Sequence, residues 1–300
     1  MSGSGRAYLD RPVTDRGAAT AAAVRAATHW GLAEPELLRV GMNAIFACGD
    51  EVLRVGVPNA PATVSLELAG FLAEMGLRVP GPTRDDVVEF DSARHTYAVT
   101  CWERLRPSTE PTDWRRVGEM VRTLHSIDAS RLPAGVPLPT PDVLPWWDFD
   151  TMLRRATGVL DAGARHGLEE VVERHRGWQA MSGRVVCHGD VHPGNVMMTA
   201  DGVVLLDWDL MCSAPPGWDH APLLTLASRW GGDPTVYASF ASGYGADLTT
   251  DPAARAFAEL RLVAATLMKV VAADPAARPE ADRRLRYWRG DPDAPPWTAQ

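Results

Sequence analysis

The sequence predicts an α+β chain of two lobes. A small N-terminal lobe (residues 1–104) carries an antiparallel sheet plus a helix, and a larger, mostly helical C-terminal lobe (105–300) follows. Three observations carry this. Short apolar runs broken by glycine-containing turns are concentrated before residue 105, helical periodicity dominates after Pro107, and a strand-rich stretch, CHGDVHPGNVMMTADGVVLLDWD (187–209), interrupts the helices. A chain of 300 residues can bury a core of the size this requires.

The elements follow in order. Alanine-rich residues 17–29 predict a helix, and LLRVGMNAIFACGDEVLRV (37–55) reads as three short strands broken at Gly41 and at Gly49-Asp50. Leu66, Ala69, Leu72, Ala73 and Met75 recur at helical spacing over 63–75, with Gly76 as the stop. VVEFDSARHTYAVTCWERL (87–105) gives two more strands, so that one helix is expected to cross an antiparallel sheet. Beyond it, DWRRVGEMVRTLHSID (113–128) places Trp114, Val117, Met120, Val121, Leu124 and Ile127 on one helical face. Further helices are expected around 148–162, 167–181 and 218–230, and a long one from the N-cap Asp251 and Pro252 to about Ala273. The tail RGDPDAPPWTAQ is too rich in proline for regular structure.

Composition excludes several classes. The net charge of −8 argues against a nucleic-acid surface and is compatible with a cationic partner. No stretch is apolar and long enough to span a bilayer, because LRLVAATLMKVVAA is interrupted by Arg261 and Lys269. The start, MSGSGRAYLDRP, has no apolar run of a signal peptide, and Cys48, Cys101, Cys187 and Cys212 have no zinc-like spacing, so a cytoplasmic location is expected. Lys269 is the only lysine, and phosphate contacts must therefore fall to arginine.

Within 187–209 the chemistry concentrates. Val196–Thr199 and Val203–Leu206 flank Ala200-Asp201-Gly202, which predicts a hairpin with a three-residue loop. Thr199 then faces Val203, Val196 faces Leu206, and the next pair outward is Asn195 with Asp207. Cross-strand partners have Cβ atoms about 4.5–5.5 Å apart, so an amide oxygen and a carboxylate would stand side by side as ligands for a hard cation such as Mg²⁺. A two-residue turn would shift this register by one. Asp190 lies in the loop leading into the hairpin, beside that metal position, where a carboxylate can take a proton from an attacking hydroxyl. The same stretch contains the H-x-D-x-H run His188, Asp190 and His192, a possible hydrolytic metal site, but no further histidine cluster stands beside D-W-D.

H-G-D-x-H-x-x-N, followed twelve residues later by D-W, resembles the catalytic and metal segments of the aminoglycoside phosphotransferase family, whose fold is two-lobed and protein-kinase-like. The resemblance implies transfer of the γ-phosphoryl group of ATP or GTP, with Mg²⁺, to a hydroxyl of a small molecule. Asp190 would be the base, and Asn195 and Asp207 the metal ligands. Arg54, in the strand EVLRV, corresponds to the strand-borne basic residue that reaches the phosphates, and Glu67 on the next helix would pair with it. Met42 and Asn43 would offer backbone amides to the phosphates, although RVGMNAIF has a single glycine and also reads as a simple β-turn. Trp102 and Glu103, in CWERL, fall at the hinge that meets the nucleotide base. PPGWDHAPLL (215–224) resembles the stretch after the metal motif in bacterial members, with Asp219 capping a helix or ordering the catalytic loop. His125 reads as a packed core histidine and His192 as a residue orienting the loop. Trp146 and Trp147, after Pro145, could line an acceptor pocket. The acceptor implied first is an aminoglycoside or other antibiotic, with resistance as the role. A metabolic acceptor (an amino alcohol, sugar or nucleoside) and a non-catalytic nucleotide-binding module remain alternatives.

Overall fold

A computed structural model describes residues 10–272 and 274–298. Strands β1 (Glu36–Val40), β2 (Ala44–Cys48), β3 (Glu51–Gly56), β4 (Val88–Asp91) and β5 (Thr96–Glu103) form an antiparallel sheet in the order β1-β2-β3-β5-β4. The five strands fall on the runs predicted for them, with β1 beginning one residue earlier and β3 ending one residue later than expected. Helix α1 (Arg16–Trp30) covers the sheet: Ala19, Ala22, Ala23, Ala26 and Ala27 pack with Phe46, Leu53, Val55, Tyr97 and Val99. Side chains this small let the helix backbone lie close to the strands. Asp15 caps α1 by accepting from Ala18 N at 2.9 Å.

Helix α2 (Thr63–Glu74) sits differently from expectation. It is α1 that crosses the sheet, whereas Leu68 and Leu72 of α2 enter a second core with Val117, Met120, Val121 and Leu124. These last residues belong to α3 (Trp114–His125), as its apolar stripe predicts. Helix α3 packs on α8 (Thr235–Tyr244), which the sequence reading missed. A Cβ on Gly118 would come within 2.0 Å of the Phe240 carbonyl oxygen, and one on Gly243 within 1.8 Å of that of Arg115, so both glycines are required for this approach.

The remaining helices are α4 (Phe149–Arg155), α5 (Ala162–Arg174), α6 (Gly217–Leu224), α7 (Leu226–Trp230), α9 (Pro252–Val270) and α10 (Arg278–Trp288). The helix expected over 167–181 begins and ends earlier, as α5. The one expected over 218–230 is divided into α6 and α7. Helix α9 starts on Asp251 and Pro252 as predicted and ends at Val270; Ala273 lies outside the described residues. No described helix is long and apolar enough to cross a membrane. The described part of the tail, to Thr298, has no regular structure, yet Trp297 is buried against Trp230 and Tyr287.

Between the helices, β6 (Val185–Cys187) pairs with β9 (Cys212–Ala214), and β7 (Val196–Thr199) with β8 (Gly202–Leu205). The hairpin exists, but its register differs by one from the expected one: Thr199 faces Gly202 and Val196 faces Leu205. The turn is the two residues Ala200-Asp201, and Gly202, at φ 114°, belongs to the strand. Thr199 Oγ1 closes the turn by donating to the Gly202 carbonyl at 2.8 Å. Leu206 N donates to the Asn195 carbonyl at 2.9 Å, so Asn195 and Asp207 are not a cross-strand pair.

Candidate active site

The loop between β6 and β7 carries Asp190, and a buried carboxylate from α6 holds that loop. Asp219, fully buried, accepts from His188 N and Gly189 N, each at 2.8 Å, and contacts His125 Nε2 at 3.0 Å. Pro216, not Asp219, occupies the N-cap of α6, so of its two expected roles Asp219 serves the loop. Burial opposes its charge, but the His125 hydrogen bond and the loop amides hold its pKa below the usual carboxylate range. His125 is buried as expected, though held by polar bonds, with Nδ1 3.0 Å from the Tyr244 hydroxyl. Gly189 runs at φ 96°, with the Leu210 carbonyl oxygen 1.9 Å from where a Cβ would lie.

Asp190 is gripped on both oxygens. Oδ1 meets Arg261 Nη1 at 3.1 Å, and Oδ2 meets His192 Nε2 at 3.3 Å and Asn195 Nδ2 at 3.2 Å. His192 Nδ1 accepts from Gly194 N at 3.0 Å, which fixes the tautomer that points N–H at Asp190. Burial opposes ionisation of Asp190, yet the His192 hydrogen bond and the Arg261 charge hold its pKa far below the usual carboxylate range. Arg261 also donates to the Gly189 carbonyl and lies 4.9 Å over the Trp218 ring. Sequence reasoning missed Arg261; it stands 71 residues from Asp190 on a helix that also carries Arg255, Glu259 and Lys269, and no local signal marks it.

Asn195 turns its amide nitrogen to the Asp190 carbonyl at 3.0 Å and to its carboxylate. Its oxygen receives no hydrogen bond among the described residues. Asp207 is the one non-glycine residue with positive φ (61°) among them, and no described group donates to its exposed carboxylate. An open carboxylate and an open amide oxygen are a donor set suited to a hard cation. The alternative hydrolytic site is not supported by the bonding. His188 Nε2 faces the Leu206 carbonyl at 3.0 Å, and Asp219, which lies near His125 and Cys187, already accepts loop amides on both oxygens.

Arg54 projects from β3 toward D-W-D, but its partner is not Glu67. Its Nη2 lies 2.6 Å from Asp209 Oδ2 and 3.3 Å from Asp10 Oδ2. Glu67 is exposed, on a helix whose apolar face is turned into the second core, and it makes no ion pair with Arg54. Asn43 joins the cluster. With its oxygen toward Arg54 (2.9 Å to Nη2, 3.1 Å to Nε) and its nitrogen toward Asp10 (2.8 Å), both ends of its amide are matched. Burial pushes the Asp209 pKa up, against the pull of Arg54. Met42 beside it is exposed at the loop tip.

The other expected site residues are placed as follows. Trp102 Nε1 donates to Thr100 Oγ1 at 2.7 Å. Glu103 N donates to the Gly81 carbonyl at 2.9 Å, and its carboxylate accepts from Gly81 N at 2.7 Å, so that amide is engaged within the protein. Trp147 does not line a pocket. It is buried with Trp218 at 4.3 Å, Trp178 at 5.1 Å and Phe149 at 5.3 Å, because a large aromatic surface at a chain reversal gains most by entering the core. Trp146 packs half-buried at the edge of the same cluster.

Residues 60–258 match the model of the phosphotransferase enzyme family (APH), and the chain belongs to that family. No curated protein matches it. Among solved structures, a thermostable mutant of aminoglycoside phosphotransferase APH(4)-Ia aligns with a TM-score of 0.65 at 15% identity, over 90% of this chain and 99% of that one. Amicoumacin kinase hAmiN, in complex with AMP-PNP, Ca²⁺ and Ami, aligns with a TM-score of 0.61 at 13% identity, over 91% and 93%. A choline/ethanolamine kinase family protein from Mesorhizobium loti aligns with a TM-score of 0.57 at 19% identity, over 87% and 88%. These likenesses establish the two-lobed, kinase-like α+β fold.

Proposed function

We propose that this member of the phosphotransferase enzyme family moves the γ-phosphoryl group of ATP or GTP to a hydroxyl of a small molecule. In this reading residues 1–104 are the nucleotide-binding lobe and 105–300 the catalytic and acceptor-binding lobe. The observation that carries it is the juxtaposition at D-W-D: Asp190, Asn195 and the open Asp207 on one side, and Arg54 reaching Asp209 from the sheet on the other.

Asn195 and Asp207 would hold Mg²⁺, which when bound supplies charge neutralisation on the phosphate oxygens. Arg54 would steady the phosphates, and Met42 and Asn43 would bound them at the loop. Asp190 accepts a hydrogen bond from the acceptor hydroxyl. Its depressed pKa suits it to orienting that hydroxyl rather than to removing its proton early. As the hydroxyl oxygen bonds to the γ-phosphorus, the bond to the departing diphosphate breaks and the hydroxyl proton leaves on the Asp190 side. Positioning and charge stabilisation are the main sources of rate.

An aminoglycoside or other antibiotic is the first acceptor class, as the names of two similar structures suggest, with resistance as the corresponding role. The choline/ethanolamine kinase family likeness favours an amino alcohol as the second. The test is ADP or GDP release over aminoglycosides, macrolides, nucleoside antibiotics, amino alcohols and sugars, with Asp190→Ala beside the unmodified chain. The variant is expected to lose about 10²–10⁴-fold in acceptor-dependent release, with nucleotide affinity within about twofold. Near-full turnover in the variant would remove Asp190 from the role. Mg²⁺-dependent nucleotide binding without release on any acceptor would favour the non-catalytic module.

A further inference from the structure

We infer that Arg54 is aimed at the phosphates by Asp209, with Asp10 and Asn43, and not by a glutamate on the following helix. This rests on the phosphotransferase reading above. Asp209 is then a positioning residue, acting through Arg54. The D-W-D motif has two separate duties, its first carboxylate for the metal and its second for the arginine.

The geometry is specific. The shortest contact of the guanidinium is to Asp209 Oδ2, at 2.6 Å, and both residues are largely buried there. Asp10 closes the other side at 3.3 Å and belongs to a segment tied to the sheet by the Arg11–Val57 bridge and by the Val13 N to Met42 carbonyl bond of 3.2 Å. Asn43 spans Arg54 and Asp10. Gly56, two residues after Arg54 on β3, makes room for them: a Cβ there would lie 2.5 Å from Asp10 Oδ2 and 2.6 Å from the end of the Asn43 amide that faces Asp10. Glu67 stands exposed on α2 and contributes nothing to this cluster. Asp209 is fixed in turn by the short 3₁₀ turn Trp208–Leu210 that follows the left-handed Asp207, so the metal position and the arginine are mechanically linked. A buried carboxylate pair is tolerated here because the guanidinium can serve both at once.

The experiment titrates ATP or GTP with Mg²⁺, and the corresponding nucleoside without phosphates, into the unmodified chain and its variants by calorimetry. Arg54→Gln and Asp209→Asn are each expected to weaken nucleoside triphosphate binding about tenfold or more, with nucleoside binding changed less than about twofold. The double variant should be no weaker than the worse single one, because both remove the same interaction. Asp209→Glu, which keeps the charge, should recover most of the loss. Asp10→Asn should cost severalfold, and Glu67→Gln less than about twofold. The inference is overturned if Asp209→Asn binds the triphosphate like the unmodified chain, or if Glu67→Gln matches Arg54→Gln. It is also overturned if the Asp209→Asn loss persists in full beside Arg54→Gln and disappears without Mg²⁺, which would make Asp209 a metal ligand. Loss of nucleoside binding together with the triphosphate in both Asp209 variants would make Asp209 a scaffold residue and overturn it too. A chain that binds no triphosphate at all refutes the phosphotransferase reading itself, and this inference with it.

Discussion

The loop around Asp190 and the cluster around Arg54 involve opposite ends of the stretch 187–209 and are built by opposite means. The loop is a contiguous stretch whose polar groups are consumed inside the protein. Asp219 takes two of its amides, His188 bonds the Leu206 carbonyl, and Arg261 and His192 clamp Asp190. The cluster gathers Asp10, Asn43, Arg54 and Asp209 from four separate parts of the chain and is held by charge. A loop held by buried hydrogen bonds keeps its shape whatever is bound, whereas a cluster held by ion pairs can exchange partners with an incoming anion.

The largest effect is expected where the loop is anchored. Asp219→Ala strands the His188 and Gly189 amides and His125 in a buried site, and should cost about 3–5 kcal/mol in urea unfolding. Transfer should fall at least as steeply as stability. Gly189→Ala meets a backbone oxygen that cannot turn aside, and should cost about 3 kcal/mol or more. If either variant unfolded like the unmodified chain, the loop would be no more rigid than the cluster, and the contrast would fail.

A smaller effect separates the two regions by pH. His220, behind Asp219, is packed among Tyr237, Phe240 and Tyr244, and burial pushes its pKa down to about 4. Between that value and the ordinary one near 6.5, the unfolded chain binds a proton that the folded chain does not. The stability His220 contributes is therefore complete above about pH 6.5 and is lost as the pH falls toward 4, by about 2–3 kcal/mol. His220→Phe should flatten that part of the profile in denaturation series at pH 7.5 and 5. An unchanged slope would place the acid sensitivity elsewhere.

The same contrast explains what could be read from the sequence. The meeting of Asp190 and Asn195, at 3.2 Å, was legible because the loop is local and only five residues separate them. The five-strand sheet was legible because its turns are marked by Gly41 and by Gly49-Asp50. The arginine's partners were not, since strand-then-helix order suggested Glu67, while α2 in fact turns Leu68 and Leu72 into the helical core and Glu67 outward. Helix α10 was missed because part of its buried face is charged: Glu280 and Arg284 pair at 2.8 Å where an apolar stripe would otherwise stand. The hairpin register slipped by one because Gly202 can extend a strand as readily as end a turn, and sequence alone does not choose between the two.

That register leaves Asp207 outside the ladder, in a backbone conformation that a carboxylate-bearing residue adopts at a cost. Asp207→Gly relieves that cost and removes the open carboxylate, so it should raise stability by about 1 kcal/mol in urea unfolding and at the same time weaken Mg²⁺-nucleotide binding. The two signs together are the informative result. A gain in stability with binding intact would detach the strained residue from the metal. Loss of binding with no gain in stability would mean that the left-handed turn carries no strain, and that Asp207 sits on the rigid side of the site rather than at the boundary between its loop and its charge cluster.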